Sequence, residues 1–116
     1  MAIDNMDVRA SGIPLETSLN DSTLLDALNS GRTKGYSEET RPDGVEIFNQ
    51  YAIKRIGGKF LAYTFSIELS KIDAVDDYGD FEQRREFEDF DAAVAFLRAA
   101  GADIERFGAF KGISPI

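Results

Sequence analysis

The chain has 116 residues with 13 basic and 21 acidic side chains, a net charge of −8, and neither Cys nor His. Disulfides, thiolate metal sites and imidazole-based catalytic triads are therefore excluded. Such a surface repels nucleic acid phosphates and anionic membranes and attracts a basic protein.

The length suits one domain, 1–116, with residues 1–20 expected as a loose N-terminal segment or as one short edge element. Met1 to Asp7 carries acid where a secretion signal needs base, and Ser11-Gly12-Ile13-Pro14 is turn chemistry. No window holds the ~20 apolar residues of a bilayer span, so a cytoplasmic setting is expected. Asp21-Ser22-Thr23 offers cap oxygens before Leu24, Leu25, Ala27 and Leu28, and Gly31 follows, which predicts a helix over about 22–30. Residues 32–44 are polar, punctuated by Gly35, Pro42 and Gly44, and read as a loop.

Strand periodicity is clearest over 59–69. Leu61, Tyr63, Phe65, Ile67 and Leu69 alternate with Ala62, Thr64, Ser66 and Glu68, the pattern of a strand with one buried face. Upstream, Val45, Ile47, Tyr51 and Ile53 alternate with polar residues, and Gly57-Gly58 separates the two runs, which predicts a β-hairpin. A two-residue loop would place the two apolar sets on opposite faces. If one face alone is buried, a three- or five-residue turn or a compensating bulge is required. On that expectation Ala62, Thr64 and Ser66 form a short, uncharged solvent face.

Residues 73–80 read as a loop, and Phe81–Phe87 as a strand with Glu82, Arg84 and Glu86 on its outer side. Asp89 or Asp91 caps a helix that runs to Ala100, with Phe90, Ala93, Val94, Leu97 and Ala100 as its stripe and Gly101 at its end. A short strand is expected over Ile104–Phe107. The order α-β-β-β-α-β predicts an α+β fold, an antiparallel sheet of three or four strands with two helices on one face.

Nine acids (Asp73, Asp76, Asp77, Asp80, Glu82, Glu86, Glu88, Asp89 and Asp91) fall within nineteen residues, opposed by Arg84 and Arg85 alone. That segment carries −7 and leaves about −1 for the other 97 residues. It is the candidate docking surface for a basic protein: Asp73, Asp76, Asp77, Asp80, Glu82 and Glu86, with Tyr78 and Phe81 as aromatic anchors. The plainer reading is a solvated edge, charged for solubility and against sheet-to-sheet aggregation. An EF-hand fails, because a loop centred on Gly79 puts Ala74, Tyr78 and Arg85 at ligand positions 1, 5 and 12. Neither metal nor cofactor is expected. No nucleophile–base pair is identifiable, so an enzyme is not expected.

The expected role is a small acidic interaction protein, monomer or homodimer, that masks or inhibits a basic partner. Immunity proteins, antitoxins and nucleic-acid mimics share that size and charge. The alternative is a ligand-binding or accessory-subunit domain with a sheet pocket lined by Tyr51, Tyr63 and Phe65.

Overall fold

A computed structural model describes residues 15–75, 77–110 and 114–116, with backbone alone for 15–20. Helix α1 (Leu15–Asn29) leads into strands β1 (Lys34–Thr40), β2 (Ile47–Ile56), β3 (Lys59–Glu68) and β4 (Glu82–Phe87), followed by helix α2 (Phe90–Ala99) and β5 (Gly108–Ala109). All pairings are antiparallel and the spatial order is β4-β3-β2-β1-β5. This is the expected α+β class. The sheet has five strands instead of three or four, because β1 falls where a loop was expected.

Strand β1 is hard to read from Lys34-Gly35-Tyr36-Ser37-Glu38-Glu39-Thr40, since Tyr36 is its one apolar side chain of any size. Its extended form comes from its neighbours, which supply ladder partners along both of its edges. The Tyr36 ring packs 5.2 Å from Tyr51 and 5.5 Å from Phe107, Arg106 lies 4.3 Å over it, and Glu38 pairs with Arg106. The last strand also departs from expectation. Residues Ile104–Arg106 form a 3-10 turn capped by the Asp103 side chain, and pairing begins only at Gly108.

The residues expected as a loose N-terminal segment lie partly outside the described residues. The rest, 15–20, are already helical, so α1 starts earlier than its cap-like residues suggest. Asp21 serves another purpose: its carboxylate pairs with Arg98 of α2 at 3.1 Å. Both helices end where the glycines predicted, at Gly31 and Gly101. At each end the amide two residues past the cap donates to a carbonyl of the last turn (Arg32 to Ala27, Ala102 to Leu97).

The hairpin turn overturns the odd-length expectation. Ile56 pairs directly with Lys59, so the loop is Gly57-Gly58 alone. Gly57 takes φ +58° and Gly58 is not at positive φ, the pattern of a type II′ turn. The premise at fault was that one face alone is buried. Ile53 and Ala62, opposite each other, lie under the helices with no exposure. Ala62 is thus core rather than solvent face. Tyr63 and Ile67, on the other side, are also buried.

The helix-side core joins Leu24 and Leu28 of α1 and Phe90, Ala93, Val94 and Leu97 of α2 to Tyr51, Ile53, Phe60, Ala62 and Ile104. On the reverse face, Phe48 and Tyr78 both pack edge-on against Phe65, at 6.0 Å. Tyr78 belongs to the long β3–β4 connection, which supplies this second layer. Near the C-terminus, the Phe110 ring lies against Gly35, and the Pro115 carbonyl accepts from Arg84 at 3.5 Å.

Gly35 is a position where the fold has no room. A Cβ there would stand 2.0 Å from the Tyr51 carbonyl oxygen and 2.7 Å from Cζ of Phe110. Because the first of these is backbone, a rotamer change cannot relieve it. Gly35→Ala is expected to destabilise by about 2 kcal/mol in urea unfolding, whereas Gly108→Ala, with open space around it, should stay near wild type.

Candidate functional site

The acidic run is laid out along one margin of the sheet. Strand β4 is an edge strand, the turn before it carries Asp77 to Phe81, and the residues after it enter α2. Pairing puts Glu82, Arg84 and Glu86 opposite Phe65, Tyr63 and Leu61, on the face away from the helices. Glu82 and Glu86 are therefore about 13 Å apart along the strand.

Folding employs some of these acids and leaves others. Asp89 caps α2, its carboxylate accepting from the Ala92 amide at 2.8 Å, and Glu88 lies 3.5 Å from Lys59. Asp77 accepts from the Gly79 amide at 2.9 Å, which closes the turn ahead of β4. Glu82 is half-buried, accepts from the Tyr63 hydroxyl at 3.0 Å and lies 4.0 Å from Arg84. Asp73, Asp80, Glu86 and Asp91 are exposed and have no ion pair among the described residues. Asp76 lies outside the described residues.

The two proposed aromatic anchors differ. Tyr78 is 41% exposed, with its hydroxyl donating to the Ile72 carbonyl at 2.6 Å and its ring held against Phe65. Phe81 is half-buried and forms the wall of a cleft. Of the three aromatics expected to share a pocket, Tyr51 and Phe65 both line one cleft, and Tyr63 does not. Tyr51 is on the helix side of its strand, and Tyr63 and Phe65 are on the reverse side of theirs. No three side chains of the metal-binding types come together to hold an ion among the described residues.

The cleft behind Phe81 was not named from the sequence. It holds about 210 Å³ and is lined by Asn49, Tyr51, Thr64, Ser66, Asp80 and Gln83, together with Phe65, Phe81 and Ala100. Tyr51, Thr64 and Gln83 are consecutive partners across β2, β3 and β4, and Asn49 pairs with Ser66 in the next row. This half of the sheet lies beyond the C-terminal end of α2. Its one sequence signal was the small, uncharged Thr64 and Ser66 in a strand whose other side is aromatic. A second, larger groove of about 430 Å³ runs between α1, the start of β1 and Ile104–Phe107. Its lining mixes Arg32 and Lys34 with Asp26 and Glu105.

Two tyrosines have ionisations displaced upward. Burial holds the Tyr51 phenol above its ordinary value, with Tyr36 and Glu38 adding to the effect. Burial pushes Tyr63 up to about 12, helped by the hydrogen bond to Glu82 and its negative charge, and opposed by Arg84. Both phenols are therefore neutral donors at ordinary pH.

Comparison with protein-family models, curated proteins and solved structures finds no match. Among the described residues, no helix is long and apolar enough to cross a membrane.

Two measurements check this site. A phenol whose folded pKa exceeds its unfolded value of 10.0 contributes stability below pH 10 and loses it as pH rises through the folded value. Stability should therefore fall between about pH 10 and 12, with one tyrosinate appearing last in the absorbance titration. Tyr63→Phe should remove that last step and flatten the alkaline decline. Asp89→Ala should cost about 1 kcal/mol through the lost cap, measured by thermal unfolding.

Proposed function

We propose that this chain is a small acidic binding module that masks or inhibits a basic protein partner. The observation that carries the reading is the edge at β4. Exposed carboxylates at Asp73, Asp80 and Glu86 belong to the same run of chain as an exposed Tyr78 whose ring is already anchored. Asp77 belongs to the same surface, and Asp76 is included on sequence alone.

Carboxylates without internal partners repel one another in the free protein, and a basic surface relieves that repulsion on contact. The long-range field steers the encounter, so the association rate carries most of the effect and falls with salt. Tyr78 then supplies contact area at little entropic cost, since its hydroxyl and one ring edge are held in advance. Phe81 and Glu82 support the edge: one walls the cleft and the other is engaged by Tyr63. The module acts by occupancy and not by catalysis.

The test is affinity capture from the native host with wild type and with Asp73→Asn, Asp77→Asn, Asp80→Asn, Glu86→Gln combined. Asn at position 77 keeps the oxygen that closes the turn. A basic protein should be retained at low salt, and its association rate should drop about tenfold or more in the neutralised variant and likewise at high salt. Equal capture by the neutralised variant sinks the reading.

A further inference from the structure

We propose that the cleft behind Phe81 receives a single guanidinium group, the end of an arginine side chain on the basic partner. The inference rests on the docking reading above and goes further by naming the contact that gives it specificity.

Charge is the first argument. The described residues lining the cleft include one carboxylate, Asp80, and no lysine or arginine. The C-terminal end of α2 opens onto it through Ala100, and the negative end of the helix dipole adds to the preference for a cation.

Chemistry is the second. Across the floor, Thr64 and Gln83 present a hydroxyl and an amide oxygen from adjacent strands, spaced by about 4.8 Å, beside Tyr51, whose hydroxyl donates to the Ala100 carbonyl at 3.5 Å. The side chains of Thr64, Gln83 and Asp80 have no hydrogen-bond partner among the described residues. Asn49 is committed, accepting from Ser66 at 2.9 Å and donating to Thr40 at 3.1 Å, and it holds the neighbouring row in place. Acceptors spread over the floor and one wall suit a donor that points five N–H groups outward in a plane. Phe81 gives that plane an aromatic wall.

Size is the third. At about 210 Å³ the cleft is smaller than the roughly 300–1,000 Å³ of sites that enclose a whole small molecule, and it suits one side-chain terminus. It also adjoins the docking edge, because Asp80 belongs to both.

The test uses the ¹⁵N-labelled full chain titrated with N-acetyl-arginine amide and, separately, with N-acetyl-citrulline amide, which is neutral and nearly the same shape. Arginine amide should shift the amides of Thr64, Asp80, Gln83 and Ala100 saturably. Citrulline amide should bind about tenfold more weakly, and Asp80→Asn should lose a similar factor for arginine amide. Equal binding of the two probes, or arginine-induced shifts spread evenly along Asp73, Glu86 and Asp91, overturns the inference.

A Thr64→Val, Gln83→Leu variant, with folding verified by its own amide spectrum, separates the cleft from the edge. If this variant captures the partner as wild type does while the neutralised edge variant fails, the cleft inference falls and edge docking stands. If arginine amide seats in the cleft but neutralising Asp73, Asp77 and Glu86 with Asp80 kept leaves capture unchanged, edge docking falls and the guanidinium site stands.

Discussion

The Gly57-Gly58 turn pairs Ile56 with Lys59, and from that single pairing the facing of the whole central hairpin follows. Side chains alternate strictly along a strand, so a slip of one residue would exchange the contents of the two faces. With the two-residue turn, Tyr51 and Ile53 meet the helices beside Phe60 and Ala62, and Tyr63, Phe65 and Ile67 face the other way. Both sides then carry apolar residues and both need cover. Helices α1 and α2 cover one side, and the β3–β4 connection packs Tyr78 on the other. The polar row of Tyr51, Thr64 and Gln83 exists because α2 ends before the sheet does.

The acidic margin has the same origin. Strand β4 is the outer strand of the meander, so its free edge faces solvent and would otherwise invite pairing with another sheet. Alternating Glu82, Arg84 and Glu86 discourages that, while Glu88 and Asp89 bind the strand's end to Lys59 and to the start of α2. Charge that blocks indiscriminate pairing and charge that greets a basic partner are compatible on one edge. The first needs only that the edge be charged. The second needs carboxylates left over, as at Asp73, Asp80 and Glu86.

Local signals were legible wherever a short stretch of chain decides its own conformation. The caps and ends of α2, the glycine after α1, the extended conformation of β3 and the separation of the hairpin strands all read correctly, and so did the α+β class. The reverse was true where distant parts decide. Strand β1 is extended because β2 and β5 offer it partners, and Asp21 lies within a helix and reaches Arg98 in another. For the candidate site, the acids and Tyr78 were visible in the chain. Which acids folding consumes, and the existence of a cleft behind Phe81, were not.

Composition and periodicity by themselves determined an acidic chain without thiol or imidazole chemistry, its secondary elements other than β1 and β5, and the concentration of charge between 73 and 91. Tertiary structure alone decided the register, the burial of both sheet faces, and the division of carboxylates into engaged and free. The physical reason is that propensity and alternation act within a few residues. The facing of a strand depends instead on what covers it, and that cover arrives from elements far away in the chain.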